Sequence, residues 1–171
     1  TEDVPLADLS ALLKRALDQV LPANWSRGNP VDIIGDAPAE RYVDALKALG
    51  QHPADTGTLL FIHAPTAIVP PTDIARAMIP VIRPAGQQPL PLVSAWVGGP
   101  SVAEARRLFV DAGIACYDLP EQAVAAIGTL QRYARNQAEL TEAPPATQLH
   151  NGSTPDVARV RALIQGVLAT G

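Results

Sequence analysis

Four short apolar runs recur along this chain of 171 residues, each followed by turn residues and then by an amphipathic stretch. They are Pro30-Val31-Asp32-Ile33-Ile34, Thr58 to His63, Leu92 to Val97 and Ile114 to Tyr117. A brief apolar run bounded by Gly, Pro and Asp fits a strand buried on both faces. Strands alternating with helices in units of about 30 residues build a parallel sheet covered on both sides. The expectation is an α/β chain in three αβα layers.

The intervening stretches carry helix signals. Leu9, Leu12, Leu13, Ala16, Leu17, Val20 and Leu21 share one face of a helix over residues 8–21, which Pro22 stops. Asp36 is expected to cap the next helix, with Pro38 in its first turn and Gly50 as a left-handed terminator. Thr72 or Asp73 should cap a helix that turns Ile74, Ala77, Met78, Val81 and Ile82 inward. Ser101 and Glu104 have capping-box spacing, and Gly113 ends that helix. Pro120 and Glu121 open another helix, expected to reach about residue 138. The Pro-, Gly- and Ser-rich stretch 139–155 reads as a linker, and 156–171 as a further amphipathic helix leading into a following domain.

Composition removes several function classes. Hydrophobic residues make up 47% and charged residues 18%, which excludes a disordered chain. A net charge of −4 with scattered Lys and Arg does not suit nucleic acid. No apolar run approaches the roughly 20 residues of a membrane span, so no membrane partner is expected. Cys116 is the only cysteine, which excludes an internal disulfide and a multi-cysteine metal site, fits a cytoplasmic setting, and leaves no metal site expected. The opening Thr1-Glu2-Asp3, without an initiator Met or leader, is expected to mark a piece of something larger.

Ligands of open parallel sheets bind beyond the carboxyl ends of the strands. Three loops qualify: Gly35-Asp36-Ala37, His63 to Pro71, and Gly98-Gly99-Pro100-Ser101. Each leads toward a helix N-terminus, where free amides favour an anion; each also reads simply as a turn. No phosphate-binding loop signature and no dinucleotide fingerprint is present. His63, at a strand end, could hold an anion or carry a proton, or be a satisfied structural residue. His52 and His150 have no ligand pattern around them. Cys116 is expected to be a buried, inert thiol. Asp32, inside an apolar run, is expected to anchor the next loop or to face the ligand edge. Trp25 is a candidate contact with a neighbouring domain or a local lid. No catalytic constellation can be assembled, so no catalytic residue is assigned.

The stretch Asn24-Trp25-Ser26-Arg27-Gly28-Asn29-Pro30-Val31-Asp32-Ile33-Ile34-Gly35-Asp36-Ala37, followed by Glu40-Arg41-Tyr42, resembles the "GNPVD…GDA…RY" signature of NDP-forming acyl-CoA synthetases, the superfamily of acetate–CoA ligase (ADP-forming) and succinyl-CoA synthetase. Trp96-Val97-Gly98-Gly99-Pro100-Ser101-Val102 resembles that family's "W-x-G-G-x-S-V" turn. Gly113-Ile114-Ala115-Cys116-Tyr117 with Pro120-Glu121-Gln122-Ala123-Val124 resembles its "GIPxYxxPExAV" segment. The wording of the first motif is also similar to bacterial proteins that fuse such a body to a GNAT-type protein lysine acetyltransferase.

The resemblance implies a flavodoxin-like ligase domain that lacks its first strand–helix unit, which in a 2-1-3-4-5 order would lie inside the sheet. An exposed apolar face and association through it, as in a homo-oligomer, are expected to follow. It implies that Asn29 and Pro65-Thr66-Ala67 line a site shared with a phosphohistidine loop, a small carboxylic acid or acyl phosphate being the ligand. Gly35, Asp36, Gly98 and Gly99 complete the expected phosphate- and substrate-binding set. In succinyl-CoA synthetases the middle loop is Gly-Gly-rich; here it is Pro-Thr-Ala. The implied parent enzyme uses CoA, ATP/ADP and Mg through CoA-binding, phosphohistidine and ATP-grasp domains, none of them in this chain. This domain is expected to bind no cofactor alone and to show no turnover alone. A non-catalytic regulatory domain of a lysine acetyltransferase is the alternative.

Overall fold

The computed structural model describes residues 4–142 and 156–170. Its elements run α1 (Ala11–Val20), α2 (Ala39–Gly50), α3 (Pro53–Thr56), β1 (Leu59–His63), α4 (Pro71–Ile82), β2 (Leu92–Trp96), a 3-10 turn (Gly99–Val102), α5 (Ala103–Asp111), β3 (Ala115–Tyr117), α6 (Pro120–Thr141) and α7 (Val157–Thr170). By its internal contacts the chain divides into two compact units, Thr1–Asn136 and Gln137–Gly171.

The first unit is built on a parallel sheet in the order β1-β2-β3. Leu59 pairs with Leu92 and, at the other end of the same ladder, His63 pairs with Trp96; Val93 to Ala95 pair with Ala115 to Tyr117. Alternation then divides the side chains between two cores. Leu59, Phe61, Leu92 and Trp96 pack with Leu46 of α2, Ile74, Met78 and Ile82 of α4, and Phe109 of α5. Leu60, Val93, Ala95 and Tyr117 face Ala123 and Ile127 of α6. Helices on both faces make this an α/β fold of three layers, as expected.

A third core stands apart from the sheet. Leu13 and Leu17 of α1 close on Ala45 and Ala48 of α2, with Trp25 sealing the group and Val31 and Ile33 lying against it. Ser10 caps α1 by accepting from the Leu13 amide at 3.2 Å.

Several expectations need correction. The run Pro30 to Ile34 forms no strand. A strand needs a laddered neighbour, and among the described residues β1 pairs only with β2. The run's polar groups are satisfied locally instead: Ser26 Oγ accepts from the Asp32 amide at 2.9 Å and donates to the Pro30 carbonyl at 2.8 Å, and Asp32 Oδ1 accepts from the Ile34 amide at 2.8 Å. Asp36 does not cap α2; Pro38 occupies the N-cap with no side-chain hydrogen bond. Gly50 is the last residue of α2 rather than a left-handed terminator. It packs closely on Leu90: a Cβ there would stand 2.9 Å from Leu90 Cδ2, the end of a side chain that would have to shift.

α4 starts at Pro71, with Pro70 at its cap in place of Thr72 or Asp73. Ser101 does not cap α5 either: its hydroxyl donates back to the Gly98 carbonyl at 2.8 Å, and Glu104 binds Arg107 at 2.9 Å. Gly113, at φ +70°, does end the α5 segment. α6 runs on to Thr141, through the start of the expected linker, and residues 143–155 lie outside those described. In the second unit, α7 exposes Val160, Leu163, Ile164 and Val167 on successive turns. No helix among the described residues is long and apolar enough to cross a membrane.

Candidate functional site

β1 and β2 end at the same level, on the register pair His63 and Trp96. The chain leaves both strands there, and the Val97 amide adds one more bond to the His63 carbonyl at 2.8 Å. The two departing loops then meet. Gly98 has φ +141°, and a Cβ on it would lie 2.9 Å from Pro65 Cγ, so only glycine permits this approach. Gly99, at φ +56°, has open space where its side chain would be. The Asp32–Ala37 loop joins from the α2 side: a Cβ on Gly35 would sit 4.0 Å from Thr66 Cγ2.

Pro65, Thr66, Gly35 and Gly98 therefore share one rim, with Ala67 and Gly99 next to them in the chain. Gly35, Thr66, Ala67, Gly98 and Gly99 are solvent-exposed. α4 begins four residues after Ala67, so its N-terminal dipole belongs to the same end of the sheet. Its Asp73 and Ile74 amides already bond to the Pro70 carbonyl, at 3.0 and 3.4 Å.

Asp36 and Asn29 are held differently. The Asp36 carboxylate takes a 2.6 Å bond from Arg41 Nη1, which also donates to the Ile33 carbonyl at 3.0 Å. Arg41 thus clamps a loop in which Ile34, a β-branched residue, is forced to φ +69°. Asn29 points away from this clamp: its Nδ2 donates to the Ala7 carbonyl at 2.8 Å. No described contact joins Asn29 to the Pro65 or Gly98 loops.

Below the rim lies an aromatic cluster. His63 is stacked on Phe61 and lies 4.8 Å, ring centre to ring centre, from Trp96; Tyr42 reaches both His63 and Phe61 at 6.0 Å. His63 is only 4% exposed and Trp96 fully buried. Burial holds the His63 imidazole below its ordinary pKa, so the ring is neutral at physiological pH. Burial likewise raises Tyr42, with the nearby Arg41 charge opposing it. Tyr42 and the pairing of His63 with Trp96 escaped sequence reasoning. The available signal was positional: each is an aromatic or imidazole residue at the last place of a strand, or on the helix face over it.

The remaining candidates are structural. Trp25 is buried among α1 and α2 and donates to Asp18 Oδ1 at 2.8 Å, so it is a local lid. Asp32 is exposed and ties the Ile34 amide, which anchors the loop as expected. Cys116 of β3, paired with Ser94 of β2, is half-buried rather than buried as expected, and that burial raises its pKa, so the thiol stays protonated and poorly nucleophilic. No group of three His, Cys, Asp or Glu side chains able to hold a metal occurs among the described residues.

By class this is a parallel α/β domain, and in such sheets the ends of the strands, where these loops converge, are where ligands bind. The family follows from comparison. Residues 2–141 match the family model described as Ligase-CoA domain, and this chain belongs to that family. It is 36% identical over 136 residues to acetate–CoA ligase [ADP-forming] I of Archaeoglobus fulgidus, covering 80% of this chain and 18% of that protein. It is 30% identical over 122 residues to the alpha subunit of acetate–CoA ligase [ADP-forming] I of Pyrococcus furiosus, covering 71% of this chain and 26% of that subunit. Among solved structures it is similar to the dinucleotide-forming acetyl-coenzyme A synthetase 1 of Ca. Korarchaeum cryptofilum in complex with phosphate and ADP, with a TM-score of 0.74 at 29% identity over 84% of this chain and 31% of that one. The apo form gives a TM-score of 0.72 at 31% identity over 80% and 30%. These likenesses agree with the flavodoxin-like reading of the fold. The chain thus spans about a third or less of each of these proteins.

Proposed function

We propose that this chain is the ligase domain of an ADP-forming acyl-CoA synthetase, a multidomain acid–thiol ligase that converts a carboxylic acid, CoA and ATP into acyl-CoA, ADP and phosphate. The observation that carries the reading is the meeting of the Pro65-Thr66 and Gly98-Gly99 loops at the ends of paired strands, in a chain of the Ligase-CoA family. The rim supplies backbone amides and a helix N-terminus but no nucleophile, which suits an oxyanion delivered by another part of the enzyme. In this reading Gly35, Thr66, Ala67, Gly98 and Gly99 receive a phosphoryl or carboxylate group. Pro65 sets the loop spacing, and Asp36 acts through Arg41 to hold the neighbouring loop. Asn29 serves the N-terminal segment and leaves the binding set.

CoA, ATP/ADP and Mg belong to the rest of the parent enzyme, as do the CoA-binding, phosphohistidine and ATP-grasp domains. The single cysteine supports a cytoplasmic setting. The relatives named above are ligases; no acetyltransferase stands among them, and the regulatory alternative finds no support there.

Amide NMR during titration with inorganic phosphate and with acetyl phosphate tests the site. Saturable shifts confined to Gly35, Thr66, Ala67, Gly98 and Gly99 are expected. Shifts spread over the surface, or none in these five residues, would overturn the assignment. The chain alone should make no acetyl-CoA from acetate, ATP and CoA, and a protein-dependent yield would contradict that.

A further inference from the structure

Among the described residues, two buried side-chain polar atoms have no hydrogen-bond partner: His63 Nε2 and Trp96 Nε1. They belong to neighbouring residues of one ladder, on side chains whose rings lie 4.8 Å apart, centre to centre, and inclined by 55°. An indole N–H can only donate, while a neutral imidazole carries one donor and one acceptor nitrogen. We propose that Trp96 donates its indole N–H to His63 Nε2, and that this bond is a proton-sensitive latch that positions the two rim loops.

The chemistry of the pair fixes the tautomer: the imidazole proton sits on Nδ1 and the Nε2 lone pair faces the indole. A bond between the two satisfies two buried polar groups at once. Taking up a proton converts Nε2 from acceptor to donor. Two N–H groups then face each other, and the latch opens.

Among the described residues, no carboxylate is seen to compensate the imidazolium. α2 brings Tyr42 to His63, and its Arg41 is occupied by Asp36 and the Ile33 carbonyl. β1 brings Phe61 and β2 brings Trp96. Across the same core, α4 carries Asp73, paired with Arg76, and α5 carries Glu104, paired with Arg107, as well as Arg106, paired with Asp118. Burial already disfavours the charged ring, in the direction this arrangement requires. His63 is two residues from Pro65 and Trp96 two residues from Gly98, and those residues touch. Opening the latch therefore acts directly on the Pro65–Gly98 contact. His63 is a positioning residue, since the candidate ligand site lies above it.

The latch can be tested without substrate, so its failure is distinct from failure of the proposed function; only its effect on anion binding rests on that reading. ¹⁵N NMR of the full chain between pH 7.5 and 5 should show a bare Nε2 and a protonated Nδ1 on His63. The Trp96 indole signal and the Thr66 and Gly98 amides should move together, with one apparent pKa below 6.5, the ordinary histidine value. The Trp25 indole, bonded to Asp18, is the internal control and should not follow that step. His63→Gln retains an acceptor that cannot titrate, so the step should vanish at all three positions. His63→Phe should shift the Trp96 indole signal even at pH 7.5. A proton on Nε2 at neutral pH, or an indole signal indifferent to the His63 titration, would overturn the proposal; neither readout depends on whether the variants fold.

Discussion

Leu92–Trp96 and Pro30–Ile34 are apolar runs of the same length, yet they end in opposite situations. The first lies between two strands, with all five of its residues buried. The second has no ladder at all and is held by side chains: Ser26, Asp32 and Arg41 take up its amides and carbonyls. A strand is a property of a pair, because its amides and carbonyls must be met by another chain segment. Apolar character only makes a run available for pairing.

That contrast can be broken by substitution. Trp96→Ala should have the largest effect. It removes a fully buried ring that touches Phe61, His63 and Phe109, at a cost of about 3–5 kcal/mol. Val31→Ala, in the unpaired run, should cost only about 1 kcal/mol, because Val31 merely lies against the α1–α2 core. Urea unfolding of both variants measures the difference, and equal losses would show that the unpaired run is as firmly integrated as the ladder.

Arg41→Met should come next. It keeps the apolar stem but removes the bonds to the Ile33 carbonyl and to Asp36, for a loss of about 1.5 kcal/mol. Amide exchange should quicken across residues 32–37 and stay unchanged in β1 and β2. Faster exchange in the strands would mean that the clamp supports the sheet as well.

The smallest effect is that of pH, and it should touch the laddered region alone. His63 is harder to protonate in the folded chain than in the unfolded one. The unfolded state therefore binds more protons as pH falls below 6.5, and stability drops through that window toward the folded pKa. Melting curves at pH 7.5 and 5.5 should differ in that direction for the natural chain, and by less for His63→Gln.

Much of this architecture is written locally. Leu13 and Leu17 announce the buried face of α1, and Ile74, Met78 and Ile82 that of α4, because helical period alone brings such residues to one side. The Gly98-Gly99 and Pro65-Thr66-Ala67 loops were legible as strand-end loops because each follows a short apolar run. Caps were legible less well. Asp36, Thr72 and Ser101 all have the chemistry of N-caps, but Pro38, Pro70 and the turn over Gly99–Val102 occupy those places. Proline presets the backbone for a helix start without a side-chain bond, which leaves the nearby oxygens to other partners.

The order of residues by itself determined the long helices, though not the short α3, as well as which stretches are apolar enough to become strands and which loops carry the glycines. Tertiary structure alone decided that His63 stands beside Trp96, that Pro65 rests on Gly98, and that Val31 to Ile34 stays unpaired. Periodicity acts over a few residues, whereas pairing, register and burial of an imidazole depend on segments far apart in the chain, such as His63 and Trp96, brought together only by closure of the sheet.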